Sequence, residues 1–465
     1  MKYELYGSIH KMAKKLIRRR QSRDTYRMIS IEKKCIKEDG NIDISQEKKG
    51  DFINEISPVP CNIKISDIYP VENIVSQEAF SNYKDSFPIK RKCNEKQLGV
   101  EKSQAVNKWL EFVENSEIPK GFRNGGLHYA GYIWDAGEWC LPSWIWTNAA
   151  LVRMYCRLGK EKKAKEITDK LIATQLECGG WKVRNDYDTT GSIPILAPND
   201  SAYIANNACI ELYLLTGEQR YLKAALKCAD WIMETAREDG MIYVGYDMKR
   251  KCWQRDHNIV DVGFTAGLFS RIYEITSENK YKQFLEKFVD RYINLFYIPE
   301  KHGFATSLNN IDQRIGGMFG RGQAWALEGL IPASKVLNNK KIDTIIENTV
   351  FTLIRTQTNE GGWPYNISRP LMGIDCKATS VIACALLSWY KLHPTNLQIL
   401  KAVKKAYIWC IKHTANDGRE KGGIFSYTTE GAVVHHMYTW TAFVYGSSYA
   451  VELAKILEKD KLPII

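Results

Sequence analysis

The stretch Gly316-Gly-Met-Phe-Gly-Arg-Gly-Gln-Ala-Trp-Ala-Leu-Glu-Gly-Leu330 joins a glycine-dense turn to the start of an apolar helix. Glycines at 316, 317, 320 and 322 permit positive φ and close backbone approach, which a tight turn beside a ligand requires. Arg321, Gln323 and Trp325 arrive together on the first turns of that helix, so polar reach and a flat aromatic surface converge on one spot. A helix lead-in with a surface arginine is the alternative. Similar junctions recur along the chain at almost the same interval, and that recurrence decides the fold.

From about Val100 onward, twelve apolar runs have helical periodicity. Six of them, near 103–115, 160–175, 218–237, 279–296, 340–356 and 396–413, are rich in lysine and glutamate and read as outer, solvent-facing helices. The other six begin near Trp144, Ser201, Val262, Gly322, Ala378 and Thr439, carry small and aromatic residues, and read as helices buried on most sides. Their starts lie 57, 61, 60, 56 and 61 residues apart. A direct echo supports the repeat: Leu171-Ile-Ala-Thr-Gln-Leu-Glu-Cys-Gly-Gly-Trp181 matches Leu353-Ile-Arg-Thr-Gln-Thr-Asn-Glu-Gly-Gly-Trp363 at seven of eleven positions. Fixed-period repetition of this kind marks a repeat architecture. Six hairpins of inner and outer helices point to an all-α protein, an (α/α)6 toroid; an open solenoid is the other arrangement.

The flanks divide the chain into a basic amphipathic head over 1–34, a polar, proline-punctuated linker or wrap over 35–99, and the barrel over 100–460. The formal charge is +12, but the head holds eleven Lys/Arg against Glu4, Asp24 and Glu32, two-thirds of the excess. Charge placed this way gives the body no reason to bind nucleic acid. An anionic membrane surface suits the head, with a solvated extension as the other reading. Twelve cysteines include no CxxC pair, and several fall in apolar runs, so buried free thiols and a reducing, cytoplasmic setting are expected. No apolar run spans a bilayer, and the head lacks the apolar core of a secretory signal. The eight histidines form no metal-ligand spacing.

In a toroid, the loops ahead of the inner helices gather at one mouth. Asn199-Asp200 precedes the second inner helix, Asp261 the third, Arg321 the fourth, and Asp375 with Lys377 the fifth. Intervals of 61 and 60 residues keep Asp200, Asp261 and Arg321 equivalent on adjacent units. Aspartate before a helix is also an ordinary N-cap, so the repeat argues for location without excluding capping. For one carboxyl of the pair to hold a proton near neutral pH, burial and a like-charged neighbour must outweigh the helix terminus. Trp134, Trp139, Trp181, Tyr243, Trp253, Phe319, Trp325 and Trp363 lie in loops or at helix starts, suited either to stacking on sugar rings or to packing between hairpins. Arg255, His257 and Arg314 add positive charge, fit for an acidic substrate or for a solvated rim.

The segment Gly320-Arg-Gly-Gln-Ala-Trp-Ala-Leu-Glu-Gly-Leu330 resembles the Arg-Gly-Gln-Ala-Trp signature of the unsaturated glucuronyl hydrolases and the unsaturated rhamnogalacturonyl hydrolases, glycoside hydrolase families 88 and 105. The resemblance spans roughly residues 130–455 and includes Val260-Asp-Val-Gly-Phe264 and the helix that follows Asp375. It implies an (α/α)6 barrel that removes an unsaturated uronic acid from the non-reducing end of an acidic oligosaccharide or polysaccharide, without metal or organic cofactor. It further implies Asp261 as general acid/base, Asp200 as the assisting carboxylate, Arg321 as a substrate-binding cation and Trp325 as a stacking surface. The placement of Gln323, Trp181, Trp363, His257, Arg255 and Asp375 in loops or at helix starts makes them further candidates for the substrate site, independently of the resemblance. The family's Asp-x-Gly-Phe context surrounds Asp261, whereas Asp200 is followed by Ser-Ala-Tyr, so which aspartate does which job stays open. A uronate C5-epimerase or polysaccharide lyase on the same toroid, and a non-catalytic glycan-binding protein of polysaccharide assembly, are the alternative functions.

Overall fold

The computed structural model describes residues 98–120, 125–133, 138–140, 145–182, 195–248, 251–254, 258–368, 374–428 and 439–459. The head and nearly all of the polar segment lie outside these residues, as do Arg255, His257 and Trp134. Among the described residues, outer and inner helices alternate. In chain order they are α1 (Ala105–Asn115), α2 (Ile145–Arg157), α3 (Glu161–Ala173), α4 (Pro198–Ile204, continuing through a π-helical insert Ala205–Ile210 into Glu211–Thr216), α5 (Gln219–Thr235), α6 (Phe264–Thr276), α7 (Asn279–Phe296), α8 (Gly320–Leu337), α9 (Lys340–Thr356), α10 (Cys376–Leu392), α11 (Leu397–Lys412) and α12 (Val444–Lys459).

The two layers follow from composition. In α7 a stripe of Tyr281, Leu285, Phe288, Val289, Tyr292 and Phe296 is buried while Lys280 and Lys282 face outward, the pattern of a helix with one wet side. In α10 every residue from Cys376 to Leu387 is buried, which small and apolar side chains all round make favourable. The even-numbered helices form the inner ring. Each packs on the next, α2 on α4 and so on to α12, and α12 packs back on α2. The ring is therefore closed, and the open-solenoid alternative is corrected. Between α6 and α8 the approach needs glycine: a Cβ on Gly329 would stand 2.0 Å from the carbonyl oxygen of Gly263.

The sixth inner helix begins at Val444 rather than near Thr439. The run Thr439–Phe443 is instead a strand, paired antiparallel with Gly131–Ile133 on one side and Phe425–Thr428 on the other. Its alternating residues suit a pleated ladder better than a helix turn. This sheet joins the first hairpin to the last.

The sequence echo is an echo in bonding. Gly179 and Gly361 have φ of +107° and +106°, and a Cβ on either would lie 2.4 Å from a backbone oxygen, of Lys227 or Lys405. Trp181 Nε1 donates to Leu171 O and Trp363 Nε1 donates to Leu353 O, both at 2.7 Å. Gln175 donates to Gly179 O and Ala224 O, as Gln357 donates to Gly361 O and Ala402 O. Each unit staples the end of an outer helix to the next hairpin. Gly361→Ala combines a left-handed φ with a backbone clash, and the expected loss is about 1–3 kcal/mol of stability. A shift of the urea midpoint to lower concentration at constant slope checks it; an unchanged midpoint would show that the staple is dispensable.

Candidate functional site

The mouth is built from the N-terminal turns of α4, α6, α8 and α10. Asp261 sits in a 3-10 turn, Val260–Gly263, that leads into α6. Tyr292 holds the turn by donating its hydroxyl to Val260 O at 2.9 Å. Gly322 lets α8 close on it, since a Cβ there would lie 2.4 Å from Val260 Cγ1. Gly316 and Gly317 have φ of +90° and +62° and supply the turn that precedes α8. The four glycines at 316, 317, 320 and 322 thus divide their work: two set backbone direction, and Gly320 and Gly322 permit contact.

Asn199, in the first turn of α4, donates its Nδ2 to Asp261 Oδ2 at 2.9 Å. Asp261 Oδ1 is closed off from solvent without a hydrogen bond. Burial pushes the Asp261 carboxyl up to about 6, against the hydrogen bond from Asn199, the positive charge of Arg321 and the nearby backbone N–H of Val262, which pull it down. A carboxyl in this condition exchanges protons near neutral pH, as an acid/base group must.

Arg321 is buried in the first turn of α8. Its guanidinium lies 4.8 Å from the centre of the Phe319 ring and 4.6 Å from that of Trp325. Its Nη1 stands 3.5 Å from Asp375 Oδ2. The two rings stand nearly perpendicular, 5.5 Å apart between centres, and together make an aromatic corner against which the guanidinium rests. Phe264 meets the Trp325 ring edge-on at 5.4 Å and Tyr203 packs on Phe264 at 4.5 Å, extending an aromatic wall.

The structure sorts the sequence candidates. Asp261, Arg321, Trp325 and Asp375 come together at the mouth. Capping belongs to Asp375, which accepts from Lys377 N at 2.9 Å, and not to Asp200 or Asp261. Asp200 is buried in the first turn of α4, and the side chain bonded to Asp261 is its neighbour Asn199. Four residues read as candidates for substrate contact have other partners in the structure. Gln323 is buried and bonds to the backbone of Phe304 and Phe319, so it holds a hairpin. Trp181 and Trp363 have no exposed surface and serve the staples. Arg314 binds the last carbonyls of α7, Asn294 O and Leu295 O. Arg255 and His257 fall outside the described residues.

Sequence reasoning missed the floor. Below the mouth, Arg153 of α2 donates to Glu452 Oε1 at 2.9 Å, to Asn207 Oδ1 at 3.0 Å and to Glu328 Oε1 at 3.2 Å, and lies 4.2 Å over the Tyr449 ring. The hydroxyls of Tyr203, Tyr445 and Tyr449 cluster beside it. No local spacing announces partners that lie on separate hairpins.

Six helical hairpins closed on a polar axis, with ionisable groups and aromatic rings at the inner-helix N-termini, define the (α/α)6 class of carbohydrate-processing proteins. The model of Glycosyl Hydrolase Family 88 matches residues 141–449, more than half of the chain; the protein belongs to that family and is a glycoside hydrolase. The fold is similar to the unsaturated glucuronyl hydrolase from Bacillus sp. GL1, at 17% identity and a TM-score of 0.61, covering 77% of this chain and 97% of that one. A mutant unsaturated glucuronyl hydrolase from Streptococcus agalactiae, complexed with dGlcA-GalNAc6S, is similar at 16% identity and a TM-score of 0.55 over 79% and 96% of the two chains. Cellobiose 2-epimerase from Bacillus thermoamylovorans shares the fold at 13% identity and a TM-score of 0.60 over 76% and 100%. No curated protein sequence matches the chain.

The pH dependence of stability tests the site without substrate. Asp261 ionises at about 4 in the unfolded chain but only at about 6 in the fold, so its ionisation destabilises the fold progressively as pH rises between these values. Asp261→Asn removes that cost and retains an acceptor for Asn199. Its urea-derived stability is expected to exceed the parent's above pH 6 by up to about 3 kcal/mol and to converge with it below about pH 4. Equal stability at pH 8 would contradict a desolvated carboxyl.

Proposed function

We propose that the protein removes an unsaturated uronic acid from the non-reducing end of an acidic oligosaccharide. The observation that carries this reading is the Asp261 carboxyl, pushed up to about 6 and set in the same mouth as the Arg321 guanidinium, which rests against the Trp325 ring. The family assignment and the acidic disaccharide bound by the Streptococcus relative support it.

In this reaction Asp261 gives its proton to C4 of the C4=C5 vinyl ether. Water then adds its oxygen to C5 and returns a proton to the carboxylate. The resulting C5 hemiketal opens as the ring C5–O bond breaks, leaving a ketone at C5 and a hemiacetal at C1 that collapses and releases the glycan. Arg321 binds the substrate carboxylate, Trp325 offers the ring face for stacking, and Asp200, on the turn next to Asp261, assists by its charge. Asn199 orients the reacting carboxyl by donating to its Oδ2.

Incubation with a lyase-generated unsaturated disaccharide should abolish the absorbance of its conjugated double bond. A panel of such disaccharides left unchanged would overturn the proposal. Because the protonated carboxyl starts the reaction, kcat/KM is expected to fall as pH rises through about 6. Asp261→Asn should lower kcat by at least about a hundredfold, measured under saturating substrate.

The finer location is part of the same proposal: a cytoplasmic enzyme brought to the inner face of the membrane by the basic head over 1–34. Deleting residues 1–34 should reduce sedimentation with vesicles containing anionic lipid. Equal sedimentation of the shortened chain would refute a membrane role for the head.

A further inference from the structure

A directed chain of hydrogen bonds links the stacking surface at the mouth to a carboxylate on the floor. Arg321, Trp325 and Glu328 stand at positions i, i+4 and i+7 of α8 and so share one face. Trp325 Nε1 donates to the Tyr445 hydroxyl at 3.3 Å, that hydroxyl donates to Tyr449 at 3.2 Å, and Tyr449 donates to Glu328 Oε1 at 2.6 Å. The ends fix the direction. An indole N–H only donates, and Oε1 only accepts, because Arg153 Nη1 also donates to it at 3.2 Å. Glu328 Oε2 is closed off without a partner, so a proton held there leaves Oε1 an acceptor still. The hydroxyl protons of Tyr445 and Tyr449 therefore both point away from the mouth, and Tyr445 offers its lone pairs to the indole and to the Tyr203 hydroxyl, 3.4 Å away. Without that terminal acceptor, the Tyr449 proton is free to turn toward Tyr203, 2.9 Å away, or toward Tyr445, and the alignment is lost.

The indole so held is the surface on which the Arg321 guanidinium rests. We propose that Glu328 is a positioning residue for substrate binding: through the hydroxyls of Tyr449 and Tyr445 it fixes the orientation of Trp325, and with it the cation at the mouth. The kinetic consequence rests on the function proposed above, whereas the relay itself does not.

The test separates the two. In protein labelled with 15N at its indoles, the Trp325 resonance is identified by its loss in Trp325→Phe. Tyr445→Phe removes the acceptor directly and should move this resonance. Glu328→Met, which keeps the side-chain volume but has no oxygen, should move it as well although it does not touch the indole. Glu328→Gln keeps an acceptor and should return it to the parental position. Should Glu328→Met fail to fold, Tyr449→Phe breaks the same link by loss of a single hydroxyl. On an unsaturated disaccharide, Glu328→Met should raise KM about two- to tenfold with kcat little changed, the scale of one lost hydrogen bond. A Trp325 resonance unmoved in both Glu328→Met and Tyr449→Phe, or displaced as far by Glu328→Gln as by Glu328→Met, would overturn the relay. Absence of turnover in the parent protein with the resonance behaving as described would refute the substrate assignment and leave the relay standing.

Discussion

The closed ring depends on a guanidinium held at its axis. Arg153 bonds to side chains of α4, α8 and α12 from its own place on α2, so one residue ties four of the six inner helices. A second tier repeats the device. Arg157 meets Glu452 and Glu211, and Arg271 of α6 meets Glu211 at 2.9 Å. Charges taken out of water are tolerated only when each finds partners, and removing one partner costs far more than the pair contributes. Arginine suits the place because its planar fork serves several acceptors at once. The axial charges therefore specify which helices meet more than they add to stability.

The architecture was legible because inner and outer helices differ in composition and recur at a fixed interval. Five of the six inner starts lie within three residues of those read from the pattern, and the sixth moved because a strand claimed its first five residues. The site was legible in part. Equivalent spacing placed Asp261 and Arg321 on adjacent junctions, where the structure also has them. It did not separate Asn199 from Asp200, since only the geometry of the first turn of α4 decides which side chain reaches across to α6. Trp181 and Trp363 look like binding tryptophans in the sequence because their loops are polar, yet each indole N–H is satisfied within its own staple. The floor was invisible: Arg153 and Glu452 are separated by 299 residues.

At the mouth, two tendencies of a helix start oppose each other. The N-terminus of α6 favours an ionised Asp261, as does Arg321, while burial favours the neutral acid. Burial is the larger effect, and it comes from packing that glycine permits. Gly322 against Val260 and Gly263 against Tyr292 pack closely the residues on either side of the carboxyl. Chemistry at the mouth thus draws on the same tight contacts that hold α6 to α8.

The two Gly-Gly-Trp staples have a consequence for symmetry. Between Trp181 and Trp363 lie three hairpins of a six-hairpin circle, so the staples face each other across its diameter. A half-turn about the barrel axis carries one onto the other, glycine φ, glutamine contacts and indole bond together. The ring is in this respect two semicircles of three hairpins, alike in how they are pinned. They differ in what they present at the mouth, where, among the described residues, Asp261 and its asparagine partner have no counterpart half a turn away.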